Sequence, residues 1–250
     1  MKKDLEREEL VDIGSFQVYT KIFGRDEGSP TVIMDAGYGD YSKAWTEIAP
    51  SIAKCTRVLI YDRAGLGKST ISSNKRVSSE MVKELRMLLG KLHLTPPYIF
   101  VGHSFGGVNV RLYASLYPDE VAGLILVDST PEDYRQRFLP IMPLEFQEAY
   151  NKQFIHEGTY EGTYDQFMES LEQVKIHRKK LIDTPVIILV AGKKAFYSPE
   201  AQALWLRMQE ELLDLSTCSS LVMAPNSGHY IQRDEPDYVI NAIERILQNS

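Results

Sequence analysis

The segment VGHSFGG, residues 101–107, places one serine between glycines at a spacing that suits nucleophilic chemistry. An apolar run typical of a buried strand ends at Gly102, and a helical pattern starts near Gly106, so Ser104 falls at the turn between them. Glycines on both sides of such a turn allow a close approach of the backbone where a side chain would clash. The pattern G-x-S-x-G between a strand and a helix predicts that Ser104 is a nucleophile; the alternative is a glycine-rich turn with an incidental serine.

A serine hydroxyl is a poor nucleophile at neutral pH and requires a nearby base. His229 is the candidate base, and it lies in SGH, after the last predicted strand and before the C-terminal helix. We expect it to accept the proton of Ser104 and to pass that proton to the leaving group; the alternative is a loop or capping histidine. The other histidines lie on helical stretches, in a long insertion or beside the serine on the tight turn: His93, His177, His156 and His103.

Short apolar runs alternate with longer amphipathic stretches, which predicts buried parallel strands covered by helices. The strands are predicted at 31–35, 57–62, 98–102, 123–128 and 185–190, with a weaker one at 220–224. The helices are predicted at 45–53, 78–92, 106–117, 199–215 and 235–247. Upstream, ELVDIG and SFQVYTKIFG are typical of an antiparallel hairpin at the edge of the sheet.

Residues 131–183 interrupt this alternation and contain no convincing strand. A structureless loop of this length is improbable in a compact domain, so a helical insertion is predicted. Its aromatic residues and methionines either line an acyl or aromatic-ester pocket or form the packing of the insertion itself. The candidates for substrate contact are Tyr134, Phe138, Met142 and Phe146.

Six ordered landmarks make the sequence resemble the α/β-hydrolase family over nearly its whole length, and small bacterial esterase-like serine hydrolases most of all. They are DAGYGD (35–40), Trp45, YDRAGLGKS (61–69), GHSFGG (102–107), GLILVDSTPED (123–133) and NSGHYIQRDEP (226–236). The resemblance implies an α/β fold: a mostly parallel, eight-stranded twisted sheet with helices on both faces and a helical lid after the sixth strand. Residues 1–130 and 184–250 would form the core and 131–183 the lid. His229 falls where the family has its catalytic histidine.

The oxyanion formed from an attacked carbonyl requires preorganised hydrogen-bond donors, and losing one typically costs about 10²–10³ in rate. We expect one donor to be the backbone N–H of Phe105, the residue after the nucleophile. Alignment with the family's His-Gly-x turn makes the backbone N–H of Tyr38 the second. Asp35 is expected to hold this loop by accepting backbone N–H bonds, although it is also a candidate catalytic acid.

The family's catalytic acid often follows the seventh strand as G-x-x-D, but here that stretch is Gly192-Lys193-Lys194-Ala195 and contains no carboxylate. Glu200 is the next acid, and its position after Ser198-Pro199 is typical of a helix start. Some members of the fold carry the acid after the sixth strand, where Asp128 ends GLILVD. We therefore expect Asp128 to complete a Ser-His-Asp triad; the alternative is that it caps the following turn.

These residues predict a hydrolase that cleaves carboxylic esters through an acyl-enzyme intermediate, without a cofactor or metal, on a small neutral or apolar ester. Other reactions of the fold stay open: lactone or carbon–carbon bond hydrolysis, perhydrolysis, acyl transfer and aminopeptidase activity. A weakly catalytic ligand receptor is the alternative from another class. RAGLGKST lacks the first glycine of a phosphate-binding loop, and Asp62 and Arg63 within this region are expected to pair with each other.

A net charge of −6 and a pI near 5.5 argue against nucleic acid or an anionic membrane as a partner. The N-terminus lacks the apolar region of a secretion signal, and no apolar run approaches the roughly 18 residues of a membrane span, so a cytoplasmic location is predicted. Two buried free thiols are expected at Cys55 and Cys218, with a disulfide as the alternative. The oligomeric state cannot be inferred.

Overall fold

The structure is a computed structural model that describes residues 6–26, 28–152, 154, 161–178, 183–195 and 197–248. Its eight strands form one sheet in the order β1-β2-β4-β3-β5-β6-β7-β8. The strands are β1 (Glu6–Asp12), β2 (Gln17–Phe23), β3 (Thr31–Asp35), β4 (Val58–Tyr61), β5 (Tyr98–His103), β6 (Val121–Val127), β7 (Val186–Ala191) and β8 (Ser219–Ala224).

The hairpin β1–β2 pairs antiparallel at one edge, β2 pairs antiparallel with β4, and all the other pairs are parallel. The predicted α/β fold with a mostly parallel eight-stranded sheet is therefore confirmed. Since parallel strands end at the same edge, the loops after β3, β5, β6, β7 and β8 converge there.

Within the described ranges, eight α-helices connect and cover the strands: α1 (Ala49–Ile52), α2 (Ser78–Lys91), α3 (Phe105–Leu116), α4 (Leu144–Lys152), α5 (Tyr164–His177), α6 (Pro199–Glu210), α7 (Ile231–Asp234) and α8 (Pro236–Leu247). Short 3-10 turns at Ser42–Ala44, Pro118–Glu120, Leu139–Ile141 and Glu211–Leu215 and a single π turn at Tyr134–Phe138 add to them.

The central strands are buried on both faces, which explains why their sequences are continuous apolar runs. Within β3, Ile33 belongs to an apolar cluster shared with α2 and α3, whereas its neighbour Met34 belongs to a cluster shared with α1 and α8. Helix α2 meets the first cluster through apolar residues repeating at helical spacing: Met81, Val82, Leu85, Leu88 and Leu89. The sheet thus has helices on both faces, as predicted.

The predicted helix at 45–53 is wrong in extent, because only Ala49–Ile52 is α-helical. Pro50 lacks a backbone N–H and is tolerated only in the first turn of a helix, so the helix cannot start several residues earlier and instead begins at Ala49. The helix predicted at 199–215 likewise ends at Glu210 and continues as a 3-10 turn.

In the insertion, the described residues form helices α4 and α5, the short turns before α4 and the segments that connect them, and none of these residues forms a strand. This agrees with the predicted helical insertion, although the division into a core and a lid stays a prediction. His156, at 155–160, and the N-terminal residues 1–5 lie outside the described residues.

Both cysteines are free, as expected, but the prediction that they are buried is wrong. Cys55 lies in the turn after α1 and Cys218 in the turn before β8, where their side chains are not enclosed by the sheet and its helices. Within the described part of the chain, no helix has both the length and the apolar character needed to cross a bilayer.

Candidate active site

Ser104 occupies a strained turn between β5 and α3, with a φ of 51° and a ψ of −117°. The glycines around it are required by contact distances. A Cβ on Gly102 would lie 2.6 Å from the backbone of Gly107, and one on Gly106 would lie 2.3 Å from the carbonyl oxygen of Asp35. Side chains at these positions are excluded, so the backbone can carry Ser104 above the end of the sheet.

Asp128 follows β6 with a φ of 43° and is fully buried. His229 lies in the loop between β8 and α7, and its Nδ1 is 2.6 Å from Asp128 Oδ2. The other carboxylate oxygen, Oδ1, accepts hydrogen bonds from the indole N–H of Trp205 at 2.7 Å and from the backbone N–H of Ala191 at 3.2 Å. The structure therefore brings the predicted acid and the predicted base into direct contact.

Lys194 is a fourth partner of this carboxylate, because its Nζ lies 2.5 Å from the same Oδ2 that contacts His229. Burial alone would raise the pKa of Asp128, but the charge of Lys194 and the hydrogen bond to His229 outweigh burial and hold that pKa well below its usual range. The carboxylate is thus ionised and shared between an ammonium and an imidazole.

Glu200, the competing acid, lies in the first turn of α6 and is exposed. Ser198 caps that helix by accepting a hydrogen bond from the backbone N–H of Ala201 at 3.1 Å, and Pro199 occupies the first turn. These contacts match the helix-start interpretation of Glu200.

The loop after β3 lies against the serine turn. A Cβ on Gly37 would be 3.1 Å from His103 Nδ1 and 3.4 Å from Ser104 Cβ, so the backbone of Gly37 and Tyr38 borders the nucleophile. On the opposite side, Phe105 is the first residue of α3, where backbone N–H groups have no intrahelical acceptor. Both predicted oxyanion donors therefore belong to segments that adjoin Ser104.

Arg63 fixes the loop after β3. The expected pairing of Arg63 with Asp62 is wrong. Its guanidinium donates to the carbonyl oxygens of Ala36 at 2.7 Å and Gly37 at 2.6 Å, and it forms ion pairs with Asp35 and Glu161. Asp62 instead accepts hydrogen bonds from backbone N–H groups of other residues, those of Ser42 and Lys68. Consecutive side chains at the end of β4 point apart, which explains the error.

The expected role of Asp35 is also corrected in part. Its carboxylate holds the loop through side-chain donors, Arg63 and Asn109 Nδ2, the latter at 3.2 Å, rather than through backbone N–H groups. Glu161, from the insertion, accepts hydrogen bonds from Arg63 and from the backbone N–H of Gly39. Tyr38 donates its hydroxyl proton to the carbonyl oxygen of Gly162 at 2.6 Å. The insertion and the loop after β3 are therefore joined by polar contacts.

A cavity of about 450 Å³ opens at this edge of the sheet, and Ser104 and His229 both line it. Of the four predicted substrate contacts, Tyr134 and Phe146 lie on its wall. Phe138 and Met142 instead pack behind the wall in a buried cluster with Trp205 and Met208. The insertion thus supplies both pocket lining and its own packing. Further Phe, Tyr and Trp rings on the wall are Tyr38, Phe105, Tyr150, Phe167, Tyr197, Trp205 and Tyr230.

Several neighbours of the site were not found from the sequence. The hydroxyl of Ser104 lies 3.4 Å from that of Thr130, and His103 Nε2 donates to the carbonyl oxygen of His229 at 2.9 Å. Burial, followed by the charge of His229, lowers the pKa of His103 well below its usual range, so His103 is neutral. The doublet Lys193-Lys194 was the available signal in the sequence, since the family resemblance predicts an acid in this stretch. Among the described residues, no group of His, Cys, Asp or Glu side chains is arranged to hold a metal ion.

Comparisons with known proteins point to one family. A family model described as the alpha/beta hydrolase fold matches residues 30–160, more than half of the chain. The uncharacterized protein YqjL of Bacillus subtilis (strain 168) is 32% identical over 213 residues, covering 85% of this chain and 81% of its own. The sn-1-specific diacylglycerol lipase ABHD11 of Mus musculus is 22% identical, covering 96% of this chain and 88% of its own. A thermophilic esterase from Thermogutta terrifontis superposes with a TM-score of 0.64 at 19% identity, covering 99% of this chain and 98% of its own.

Proposed function

The chain belongs to the α/β-hydrolase family, and we propose that within it the protein is a serine hydrolase that cleaves carboxylic esters. The observation that carries this proposal is the 2.6 Å contact between Asp128 Oδ2 and His229 Nδ1 in a cavity that Ser104 also lines. A buried carboxylate in contact with one imidazole nitrogen leaves the other nitrogen available to a substrate-facing hydroxyl.

In the proposed reaction, His229 removes the proton of Ser104 as the hydroxyl oxygen attacks the ester carbonyl carbon. Asp128 keeps the Nδ1 proton on His229 and stabilises the imidazolium that forms. The imidazolium then donates its proton to the departing alcohol, which leaves an acyl group on Ser104. Water, deprotonated by His229, attacks this acyl group and releases the acid.

The oxyanion of each tetrahedral intermediate would be stabilised by the backbone N–H groups of Phe105 and Tyr38. Support comes from the position of Phe105 at the start of α3 and from the close approach of Gly37 to Ser104. Arg63 would keep the second donor in place, because it binds the carbonyl oxygens of the two residues before Tyr38.

The cavity favours small neutral or apolar esters. Aromatic rings form most of its wall, and of the two lysines on the wall, Lys193 and Lys194, the second is already paired with Asp128. Residues of the insertion, including Tyr134, Phe146 and Phe167, contribute to the same wall, which supports the interpretation of 131–183 as a lid over the acyl or alcohol group. The relative from Mus musculus is named a diacylglycerol lipase, and its ester chemistry is compatible with such a wall.

A panel of chromogenic esters with acyl chains of increasing length tests the activity and the substrate class. Wild-type protein should hydrolyse neutral esters, and Ser104→Ala should lower kcat to the background level. Ser73→Ala, a substitution at an exposed serine, is the matched control and should leave kcat unchanged. A preference for highly charged esters would contradict the substrate class.

A fluorophosphonate probe separates this proposal from a ligand receptor with an inactive site. The probe should label wild-type protein and Ser73→Ala, but not Ser104→Ala. If the wild-type serine is not labelled and no ester in the panel is hydrolysed, the proposed function is wrong.

A further inference from the structure

Lys194 places a cation where many relatives are expected to carry their catalytic acid. Its side chain is only 6% exposed, and its Nζ lies 2.5 Å from Asp128 Oδ2. The ammonium also lies 3.5 Å from the ring centroid of Trp205 and 4.8 Å from that of Tyr197, within cation–π distance of both. A buried lysine held by a carboxylate and two rings has one fixed position.

The contact matters because Lys194 and His229 bind the same carboxylate oxygen. A carboxylate alone beside an imidazole favours its protonated form, and a nearby ammonium opposes that effect by repelling the imidazolium. Only the neutral imidazole can accept the proton of Ser104. The charge at position 194 therefore acts directly on the fraction of His229 that is competent as a base.

We propose that Lys194 is a positioning residue that offsets the charge of Asp128 beside His229, so that removing its cation favours the imidazolium and restricts activity on the acid side. This inference rests on the proposed function for its effect on turnover, but its effect on His229 is independent of any substrate. The position that lacks the family's acid is thus occupied by a residue that tunes the acid on the neighbouring strand.

The contact with a buried carboxylate favours the charged form of Lys194. Burial lowers its pKa, whereas Asp128 raises it, and the net direction is downward. An ammonium is most fully protonated at acidic pH, so the acid limb of a pH profile reports on the charged form of Lys194.

Other titratable groups surround His229, and a comparison of variants holds them constant. His103 is neutral because of its burial, and its ring centroid lies 4.6 Å from that of His229. Asp234 accepts a hydrogen bond from the backbone N–H of Gly228 at 2.7 Å. Other charged or titratable groups near this loop and helix are Tyr230, Arg233, Glu235, Lys193 and, beside Tyr230, Asp40.

The test compares Lys194→Met with wild type by two measurements. In the first, kcat/KM for a neutral ester is measured between pH 4.5 and 9. The acid limb of Lys194→Met should move upward by about one pH unit, so that activity below the limb falls about tenfold while the plateau is less affected. In the second, the imidazole of His229 is titrated by NMR, with His229→Gln used to assign its signals, and should show the same upward shift.

Three controls make the result specific to charge. Lys194→Arg retains the cation and should restore the wild-type limb, whereas Lys194→Gln, a second neutral variant, should reproduce Lys194→Met if methionine impairs folding. Lys83→Met removes one charge from the exposed surface of α2 and should leave the limb unchanged.

An unchanged titration of His229 in both neutral variants would overturn the proposal, as would an acid limb in Lys194→Arg that matches Lys194→Met. A shifted NMR titration in a protein that hydrolyses no ester would instead retain the role of Lys194 and reject the proposed function.

Discussion

Arg63→Leu should be among the most damaging single substitutions in this fold. The guanidinium is 3% exposed and pairs with Asp35 and Glu161, which are 1% and 0% exposed. Leucine would leave two buried carboxylates without a cation, and removing one partner of a buried pair costs about 3–5 kcal/mol. For a chain of this size, each kcal/mol lowers Tm by roughly 2–4 °C, so a fall of about 10 °C is expected.

The same substitution should slow catalysis, because Arg63 also binds the carbonyl oxygens of Ala36 and Gly37 before the proposed donor at Tyr38. If that donor loses its position, kcat should fall by about 10², the lower value for one oxyanion donor. Urea and thermal unfolding followed by circular dichroism measure the first effect, and ester turnover at a temperature where the variant is folded measures the second.

Arg86→Leu is the matched control, because Arg86 forms a two-pronged pair with Glu120 at the surface and is 50% exposed. Exposed pairs contribute about 0–1 kcal/mol, so its unfolding midpoint should hardly change. Adding Glu161→Gln to Arg63→Leu should recover part of the lost stability, because one unpaired charge is removed. If Arg63→Leu unfolds with the midpoint of Arg86→Leu, the buried network does not contribute as inferred.

Three further results are expected. Asp128→Asn should lower kcat by about 10⁴. Because the folded protein holds the pKa of Asp128 below its usual range, the ionised carboxylate stabilises the fold above about pH 4, and this contribution is lost as pH falls. Urea midpoints measured between pH 5 and 3 should therefore fall more steeply in wild type than in the variant. Trp205→Phe keeps a ring beside Lys194 but deletes the 2.7 Å bond to Asp128 and should lower the free energy of unfolding by about 1.5–3 kcal/mol; an unchanged urea midpoint would contradict this. Gly106→Ala should prevent folding or abolish activity because its Cβ would meet the Asp35 carbonyl at 2.3 Å, whereas Gly90→Ala, with open space around it, should unfold at equal or higher temperature.

The sheet could be predicted from the sequence because burial on both faces leaves continuous apolar runs, as in Thr31–Asp35, whose predicted and observed bounds coincide. The serine turn could be predicted because steric contact permits only glycine at Gly102 and Gly106. Asp128 could be proposed because the residue that follows a parallel strand lies at the carboxyl end of that strand, which is the edge of the sheet where Ser104 also lies.

The partners of buried charges could not be predicted in the same way. Arg63 binds Asp35 and Glu161, which are distant from it in the chain, and nothing in the local sequence selects them over the adjacent Asp62. The doublet Lys193-Lys194 showed that an acid was missing, but the direction of a loop side chain depends on tertiary packing. For the same reason, composition could not separate Phe146, on the cavity wall, from Phe138, behind it.

The two exposed thiols have a practical consequence for handling this protein. Cys55 precedes β4 and Cys218 precedes β8, so both lie where parallel strands begin, at the opposite edge of the sheet from Ser104. A maleimide-coated bead or electrode would therefore bind the protein at the edge of the sheet opposite Ser104 and leave the proposed catalytic edge facing the bulk solution. Dyes attached through the same thiols would likewise sit far from arriving esters, without any cysteine having to be introduced.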